Sequence, residues 1–333
     1  MFPVSGGQQS TLTALPSGDG LYPISPPRPP NLENVMDQNL DGLVELSPNE
    51  RSLLVEKKAT CPFIGSAVFQ GTLGVRNTAE NPLARIEDVR ALGNSGGGDL
   101  GDLLTIFASG NHARMLGASG MLDQSLPVGL FSLEFPGSQG SHPGHSGILE
   151  GDPTVPGSGR FSPAEFARLV ERAQDGWITR SDVGGFIAES LVRDSRAKVF
   201  GSEAAKALVS DLIAAAENIG AAWIRKLSGS HEDADRAGRT REEKLTKLLG
   251  EDNLVGSAGE FGLLFAFLAN KPGAREVDGE PALAVADLQA MFQEKRLPDG
   301  WESWKKSRLD WVKHTTALLA SAGKEYLALR RKA

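Results

Sequence analysis

Two four-residue motifs, at residues 47–50 and 162–165, mark where helices begin in this chain. Each consists of Ser, Pro, a variable residue and Glu, so that a capping Ser is followed by Pro at the first helical position and Glu at the third. Residues 179–182 form a looser version, with Thr179 as the cap and Asp182 in place of Glu. Each motif predicts the start of a helix.

Apolar residues beyond these motifs recur with the helical period. After Ser162 they occupy positions i, i+3, i+4 and i+7, from Phe166 to Ala173. Further periodic stretches lie at about residues 202–228, 235–250, 258–269, 282–296 and 300–331. No segment shows the alternation of apolar and polar residues that is typical of a half-buried strand. We therefore predict an all-α fold.

Proline and glycine divide the chain into an arm and a single domain. Seven of the 19 prolines fall within residues 1–30, a composition that favours extended polyproline II structure, so residues 1–32 are interpreted as an extended arm. Sixteen of the 39 glycines fall within residues 91–160, and a loop of that length inside a compact domain is usually functional. We expect residues 33–333 to form one large helical domain with a long glycine-rich loop at its centre.

Charge and hydropathy exclude two classes of partner. The chain has 35 Lys and Arg against 42 Asp and Glu, a net charge of −7, and no basic run, so we expect no nucleic-acid partner. The longest apolar stretch, residues 261–269, is far shorter than the roughly 20 residues that span a bilayer. The first residues contain neither a charged nor an apolar signal region, which favours a cytoplasmic, unexported protein.

Cys61 is the only cysteine, so a disulfide within the chain is excluded. It follows a helical stretch and precedes Pro62, and the backbone N–H groups of the next residues, Phe63 and Ile64, are then free to point at the sulfur. Such donors stabilise a thiolate. The sulfur is therefore a candidate nucleophile or soft metal ligand, with a buried structural cysteine as the alternative.

Oxygen ligands cluster at residues 150–154. Glu150 and Asp152 supply carboxylates, Gly151 lets its carbonyl turn outward, and Thr154 adds a hydroxyl. Hard oxygen ligands of this kind hold Mg²⁺ or Ca²⁺ with the help of water. A loop with two solvated carboxylates is the alternative interpretation.

Two weaker metal patterns remain open. Residues 37–45 follow the first nine positions of an EF-hand calcium loop, but Pro48 occupies the twelfth position, where a bidentate Glu is needed. His142 and His145, together with Glu150 and Asp152, contain zinc-ligand side chains, but without the helical spacing of known zinc motifs.

Glu260 opens a strongly apolar run. On a helix it shares a face with Leu263, Leu264 and Phe267, at i+3, i+4 and i+7, and that face is expected to be buried. A buried carboxyl either has a raised pKa or has a partner, and either property makes Glu260 a functional-site candidate. A salt-bridged Glu near a helix start is the alternative.

The motifs at Cys61, Glu150 and Glu260, taken in this order, resemble those of the haem-thiolate peroxidases, the family of chloroperoxidase and the unspecific peroxygenases. The resemblance covers about residues 50–305. It implies a single helical domain of the chloroperoxidase type that binds haem b. It further implies that Cys61 is the axial ligand of the haem iron, with Phe63 and Ile64 beside the cofactor.

The resemblance also implies roles for the other two motifs. The Glu150 carboxylate, the Gly151 carbonyl and the Thr154 hydroxyl would bind Mg²⁺ or another divalent cation beside a haem propionate. Glu260 would be the catalytic acid–base on the distal side, taking a proton from hydrogen peroxide and returning it to the leaving oxygen.

Three positions depart from the family pattern. Thr60 stands where the family has Pro, and Gly151 where many members have His. Asn253 stands where an Arg helper of the distal Glu is found in other members. Such a helper must come from elsewhere in this chain, and His112 and Arg160 are the candidates.

We therefore expect an enzyme that uses hydrogen peroxide to oxidise or oxygenate a small organic, apolar or aromatic substrate. Two alternatives stay open. One is a non-catalytic or ligand-binding protein on the same helical fold, and the other is a non-haem metal enzyme built on the His and acid residues of 142–152.

Overall fold

The computed structural model describes residues 42–57, 61–77, 82–101, 103–104, 130–132, 148–150, 160–199 and 252–332. These residues are predominantly helical, and all belong to one compact unit that covers residues 39–333. The described α-helices are α1 (Pro48–Lys57), α2 (Pro62–Gln70), α3 (Ile86–Gly93), α4 (Pro163–Val170), α5 (Arg180–Arg193), α6 (Asn253–Leu268), α7 (Val285–Phe292) and α8 (Arg308–Lys332). None of the helices in these ranges is long and apolar enough to cross a membrane.

Short antiparallel strands accompany the helices. They are β1 (Arg76–Asn77), β2 (Pro82–Arg85), β3 (Leu130–Ser132), β4 (Leu149–Glu150), β5 (Arg160–Phe161), β6 (Trp177–Thr179), β7 (Arg275–Val277) and β8 (Glu280–Ala284). Three small sheets result, with strand orders β1-β2-β3, β4-β5 and β6-β8-β7. Ile178 of β6 lies opposite Leu283 of β8, and both side chains are buried.

The prediction of an all-α fold is therefore correct only as a predominantly helical class, and the expectation that no segment forms a strand is wrong. Strands of two to five residues are too short to show a period of two in the sequence. The periodic stretch at residues 282–296 illustrates the error, because its first residues belong to β8 and its helix, α7, covers only Val285–Phe292.

The predicted helix starts are confirmed. Ser162 caps α4, its hydroxyl accepting the Glu165 N–H at 3.3 Å. Thr179 and Asp182 form a reciprocal capping box at the start of α5, with the Asp182 N–H donated to the Thr179 hydroxyl at 3.2 Å. Ser47 exchanges the equivalent hydrogen bonds with Glu50 before α1. These motifs act within four residues, so no tertiary contact can override them easily.

Other predicted boundaries shift. The stretch at 258–269 is helical from Asn253 to Leu268, because Asp252 accepts the Val255 N–H and caps the helix earlier. The stretch at 300–331 begins with the 3₁₀ turn Trp301–Ser303 before α8 starts at Arg308. The stretches at 202–228 and 235–250, the arm at 1–32 and most of the glycine-rich segment lie outside the described residues.

The core of the described chain is a group of three helices, in which α8 packs against both α5 and α6. Trp311 of α8 is buried and donates its indole N–H to the Gly259 carbonyl of α6 at 3.0 Å. Fifteen of the 16 residues of α6 are buried. Helix α6 is therefore enclosed on every side, unlike a surface helix with a single apolar stripe.

Two Asp-Gly turns lie next to the strands of the β6-β8-β7 sheet. Asp175 and Gly176 have positive φ angles of 49° and 80° between α4 and β6, and Asp278 and Gly279 have φ angles of 51° and 78° between β7 and β8. Positive φ at both central residues is the conformation that two-residue Asp-Gly hairpins adopt. The Asp278-Gly279 turn therefore joins the paired strands β7 and β8, and β6 pairs with the other edge of β8.

Candidate functional site

Cys61 occupies the N-cap position of α2, directly before Pro62 at the first helical position. Its side chain is buried, with 8 % exposed. The sequence predicted a cysteine at the end of a helical stretch, but not the helix that begins at Pro62, whose ring favours the first helical position. The sulfur therefore lies at the positive end of a nine-residue helix.

Two opposing influences act on the Cys61 thiol. Burial raises the pKa of the thiol, while the backbone N–H groups of Ile64 and Phe63 and the charge of Lys295 lower it. Neither N–H closes a capping hydrogen bond onto the sulfur. Because burial is the largest influence, the neutral thiol is favoured in the free protein. A bound soft metal ion displaces such a proton and takes the thiolate as ligand.

Lys295 is the residue at this site that sequence reasoning missed. Its side chain is partly buried, burial lowers the pKa of its ammonium group, and the charge of Cys61 raises it in turn. The ammonium lies 5.1 Å from the centre of the Phe161 ring, within range of a cation–π contact. No local sequence pattern predicts that this lysine lies near Cys61, because the two residues are more than 200 positions apart.

The segment that carries Lys295 is tied to α2 on both sides of the lysine. The Ser66 hydroxyl donates to the Met291 carbonyl at 3.0 Å, and the Leu297 N–H is donated to the Gln70 side chain at 2.9 Å. Lys295 itself has a φ of 54°, a left-handed conformation that is uncommon for a residue with a Cβ. Tertiary contacts rather than local preference therefore hold it near Cys61.

Phe63 and Ile64, expected beside a cofactor, pack against protein. Both side chains are buried. The centroid of the Phe63 ring lies 4.7 Å from the centroid of the Phe267 ring and 4.9 Å from that of Trp301. Their role as cofactor contacts stays a prediction. At the sulfur, what these residues provide is their backbone N–H groups.

Glu260 lies on α6, and its face is buried as expected at Leu263, Leu264 and Phe267, while Glu260 itself is only partly buried. Every other residue of α6 is buried, and Glu260 alone has intermediate exposure, although its Oε1 atom is inaccessible. Burial is not confined to the face of the apolar residues at i+3, i+4 and i+7, because the whole helix is enclosed. Glu260 therefore points to the least enclosed side of α6.

Helices α2 and α6 meet through the stacked rings of Phe63 and Phe267. Glu260 is seven residues before Phe267, which places it on the same face of α6 and about 10 Å along the helix. The structure thus brings the Cys61 helix and the Glu260 helix together, with the carboxyl group two turns away from the ring contact.

The predicted metal ligands are mostly beyond the described residues. Glu150 ends β4, opposite Arg160 of β5, while Gly151 and Thr154 lie outside the described ranges. The described ranges contain no group of three or more His, Cys, Asp or Glu side chains that could hold a metal ion. A divalent cation at Glu150 stays a prediction.

The candidate helpers and the weaker metal patterns are only partly described. Asn253 is buried, and its side-chain oxygen accepts the Lys198 N–H at 2.5 Å, which is a structural role. Arg160 is exposed on β5. The remaining residues, namely His112, His142, His145, Asp152 and residues 37–41, lie outside the described ranges.

Comparison with known proteins gave no match to a family model, a curated protein or a solved structure. The chemistry of the Cys61 site is therefore the basis for a proposed function.

Proposed function

We propose that this chain is a haem-thiolate peroxidase or peroxygenase, with Cys61 as the proximal ligand of a haem iron. The observation that supports the proposal is the position of Cys61, a buried cysteine at the N-terminus of α2 with two backbone N–H groups acting on its sulfur. Donors of this kind stabilise the negative charge of a thiolate that is bound to a metal. These N–H groups are the feature of the only thiol in the chain that favours a role as a thiolate ligand.

The Cys61 thiol favours a role as a metal ligand over a role as a free nucleophile. A thiol whose pKa is raised by burial is a poor free nucleophile, because the thiolate is the reactive form. Cys61 would hold a haem iron as thiolate, because metal binding favours the deprotonated form of a cysteine ligand. When bound there, haem would supply an electron-rich iron that favours cleavage of the O–O bond of hydrogen peroxide.

Glu260 is the candidate for proton transfer on the other side of the haem. It is the one residue of α6 that is not fully buried, although its Oε1 atom is inaccessible. Its helix contacts the Cys61 helix through Phe63 and Phe267. In this proposal Glu260 takes a proton from peroxide and returns it to the leaving oxygen, while the apolar residues around it favour an apolar substrate.

The visible spectrum of the full chain, purified after expression with a haem precursor, tests the proposal. We expect bound haem whose ferrous–CO complex absorbs at about 450 nm, the signature of a thiolate ligand. Cys61→Ser keeps a small polar side chain at the helix start and removes the soft ligand, so this band is expected to disappear. Ser66→Ala is the matched control in α2, because it disturbs the packing on α7 without touching the sulfur.

The outcome that contradicts the proposal is a folded wild-type protein that binds no haem, or a Cys61→Ser variant that keeps the band. The acid–base role is tested separately by stopped-flow reaction with hydrogen peroxide. Glu260→Gln is expected to slow this reaction by about 10²–10⁴-fold, the usual contribution of positioned proton transfer. An unchanged rate would mean that Glu260 is structural.

A further inference from the structure

An aromatic chain runs from the Cys61 helix to the surface through Trp301 and Trp304. The centroid of the Phe63 ring in α2 lies 4.9 Å from that of Trp301, and the Trp301 and Trp304 centroids are 5.7 Å apart. Trp301 also lines a surface cavity with a volume of about 530 Å³. Indole rings lose an electron more readily than other aromatic side chains, and electron loss does not need direct contact with the oxidant. This chain of rings is therefore a potential site of oxidative damage.

The ammonium group of Lys306 lies over both indole rings. Its nitrogen is 4.4 Å from the centre of the Trp301 ring and 4.5 Å from that of Trp304. It donates hydrogen bonds to the Ser95 hydroxyl and the Trp304 carbonyl, both at 2.9 Å, and to the Trp301 carbonyl. A ring that has lost an electron is a cation, and two positive charges at this distance repel more strongly in a buried site than in water. The ammonium group therefore opposes the removal of an electron from either ring.

The indole N–H groups are held by partners that oppose the next step of oxidation. An oxidised indole loses its positive charge by releasing the N–H proton. Trp304 donates this N–H to the Phe267 carbonyl at 2.7 Å, and Trp301 donates its own to the Leu92 carbonyl at 3.2 Å. A peptide carbonyl accepts a hydrogen bond but is too weak a base to take the proton. An oxidised ring would therefore keep its positive charge beside the ammonium group.

Lys306 is mainly charged at pH 7. Burial lowers the pKa of its ammonium group to about 8, and the Glu302 carboxylate acts in the opposite direction. Asp99, whose N–H is donated to the Lys306 carbonyl at 2.9 Å, forms an ion pair with Arg308 at 3.2 Å. Lys305 is adjacent in sequence and exposed. The repulsion that Lys306 exerts on the two rings is therefore present at pH 7 and largely lost at pH 9.

We propose that Lys306 protects Trp301 and Trp304 from one-electron oxidation. Without this protection the oxidant gains one electron, the indole loses one, and the indole cation then releases its N–H proton to solvent. The oxidant is a one-electron acceptor, either an inorganic radical in solution or an oxidising metal centre near Cys61. The second source rests on the proposed function, whereas protection against the first does not depend on haem.

Radiolysis of the full chain in azide buffer tests the proposal without haem. The azide radical takes one electron from an indole and becomes azide ion. Mass spectrometry of tryptic peptides measures the oxidised fraction of Trp301 and Trp304 together and of Trp177 separately. Trp177 is the internal reference, because the Arg275 guanidinium, 4.3 Å from the centre of its ring, stays charged throughout the pH range of the experiment.

Lys306→Gln removes the charge and keeps N–H donors for the carbonyl groups. We expect oxidation of Trp301 and Trp304, relative to Trp177, to rise at least about tenfold in this variant. Lys305→Gln is the matched control and is expected to leave the ratio unchanged. Near-UV circular dichroism checks that the aromatic packing of Lys306→Gln matches that of wild type, because a looser fold would also speed oxidation. An unchanged ratio in a folded Lys306→Gln variant would overturn the proposal.

The pH dependence of the wild-type protein is a test without substitution. Between pH 7 and 9 Lys306 loses most of its charge, since its pKa is about 8. Oxidation of Trp301 and Trp304 relative to Trp177 is expected to rise at least about threefold over this range, and Lys306→Gln is expected to show no such rise. If the variant does not fold like wild type, the wild-type profile decides, and a ratio that is constant from pH 7 to 9 would contradict the protective role.

Discussion

Lys306 is fully buried, with 0 % of its surface exposed, although charged side chains are rarely enclosed in this way. Its ammonium group donates to the carbonyl groups of Trp301 and Trp304 and to the Ser95 hydroxyl. It also lies 4.4 Å and 4.5 Å from the centres of the two indole rings. The ammonium group thus exchanges its water shell for three acceptors and two aromatic faces.

Replacing Lys306 with Met leaves those acceptors buried without a donor. We expect the free energy of unfolding, measured in urea, to fall by about 2–4 kcal/mol. Lys305→Met is the matched control, because Lys305 is adjacent and exposed, and its effect is expected to stay within about 0.5 kcal/mol. Equal effects of the two substitutions would show that the buried ammonium group has no structural role.

The same variant gives a pH dependence with a definite sign. Burial lowers the pKa of Lys306 to about 8, below the value of about 10.4 in an unfolded chain. Between these values the unfolded state binds more protons, so the contribution of Lys306 to stability rises with pH. The difference in unfolding free energy between wild type and Lys306→Met is expected to increase from pH 8 to 10. A decrease would mean that the fold raises this pKa.

Among the secondary-structure elements, the β7–β8 hairpin depends on its backbone conformation. Gly279 has a φ of 78°, and a Cβ added there meets no atom within 4 Å. Gly279→Ala is therefore expected to lower the free energy of unfolding by about 1–2 kcal/mol through the left-handed conformation alone.

Gly323 supplies the matched control for Gly279. It lies inside α8, where an added Cβ would meet only Leu254 at 3.8 Å. Gly323→Ala is expected to raise the free energy of unfolding by up to about 1 kcal/mol, because Ala favours helix over Gly. Urea titrations measure the free energy of unfolding of Gly279→Ala and Gly323→Ala. If both substitutions changed it in the same direction, the explanation from backbone conformation would be wrong.

Elements whose signals are local could be predicted from the sequence. The starts of α1, α4 and α5 follow from capping residues within four positions of one another. Strand β8 could not be predicted, because its pairing with β6 joins Ala282 to Thr179, residues more than 100 positions apart. Such short strands gain their stability from a partner rather than from their own sequence.

The same distinction applies to the candidate site. The influence of the Phe63 and Ile64 N–H groups on the sulfur depends on immediate neighbours of Cys61 and could be predicted, whereas the helix start at Pro62 was missed. The charge of Lys295 beside the thiol could not be predicted, since tertiary contacts bring it there. At Glu260 the pattern predicted a buried face, but it could not show that neighbours bury the other 15 residues of α6 and leave Glu260 partly exposed.

For the whole molecule, close approach of α8 to α5 and α6 depends on two glycines. A Cβ at Gly262 of α6 would lie 2.1 Å from Thr315 Oγ1, and a Cβ at Gly184 of α5 would lie 2.4 Å from Ser321 Oγ. Both distances are far shorter than an ordinary van der Waals contact of a Cβ atom, which is 3.4–4 Å. Helix α8 therefore packs closely against the backbone of α5 and of α6, two helices that are distant from each other in sequence.

A double-mutant cycle tests this packing. Gly262→Ala is expected to lower the free energy of unfolding by about 1–3 kcal/mol, because α8 must move away from α6. Thr315→Ala removes the closest atom but leaves its Cβ, 3.1 Å from the added methyl group, so it is expected to recover only part of the loss. The coupling between the two substitutions is expected to be about 0.5–3 kcal/mol.

Ser321→Ala is the control for this cycle, since Ser321 lies about 9 Å further along α8 and contacts α5 instead. Its effect is expected to add to that of Gly262→Ala without coupling. Equilibrium unfolding in urea gives the free energy of unfolding of each single and double variant, and the coupling energies follow from these values. If Ser321→Ala restored the stability of Gly262→Ala as well as Thr315→Ala does, α8 would be adjusting as a whole. The direct contact between Gly262 and Thr315 would then not determine how closely the helices pack.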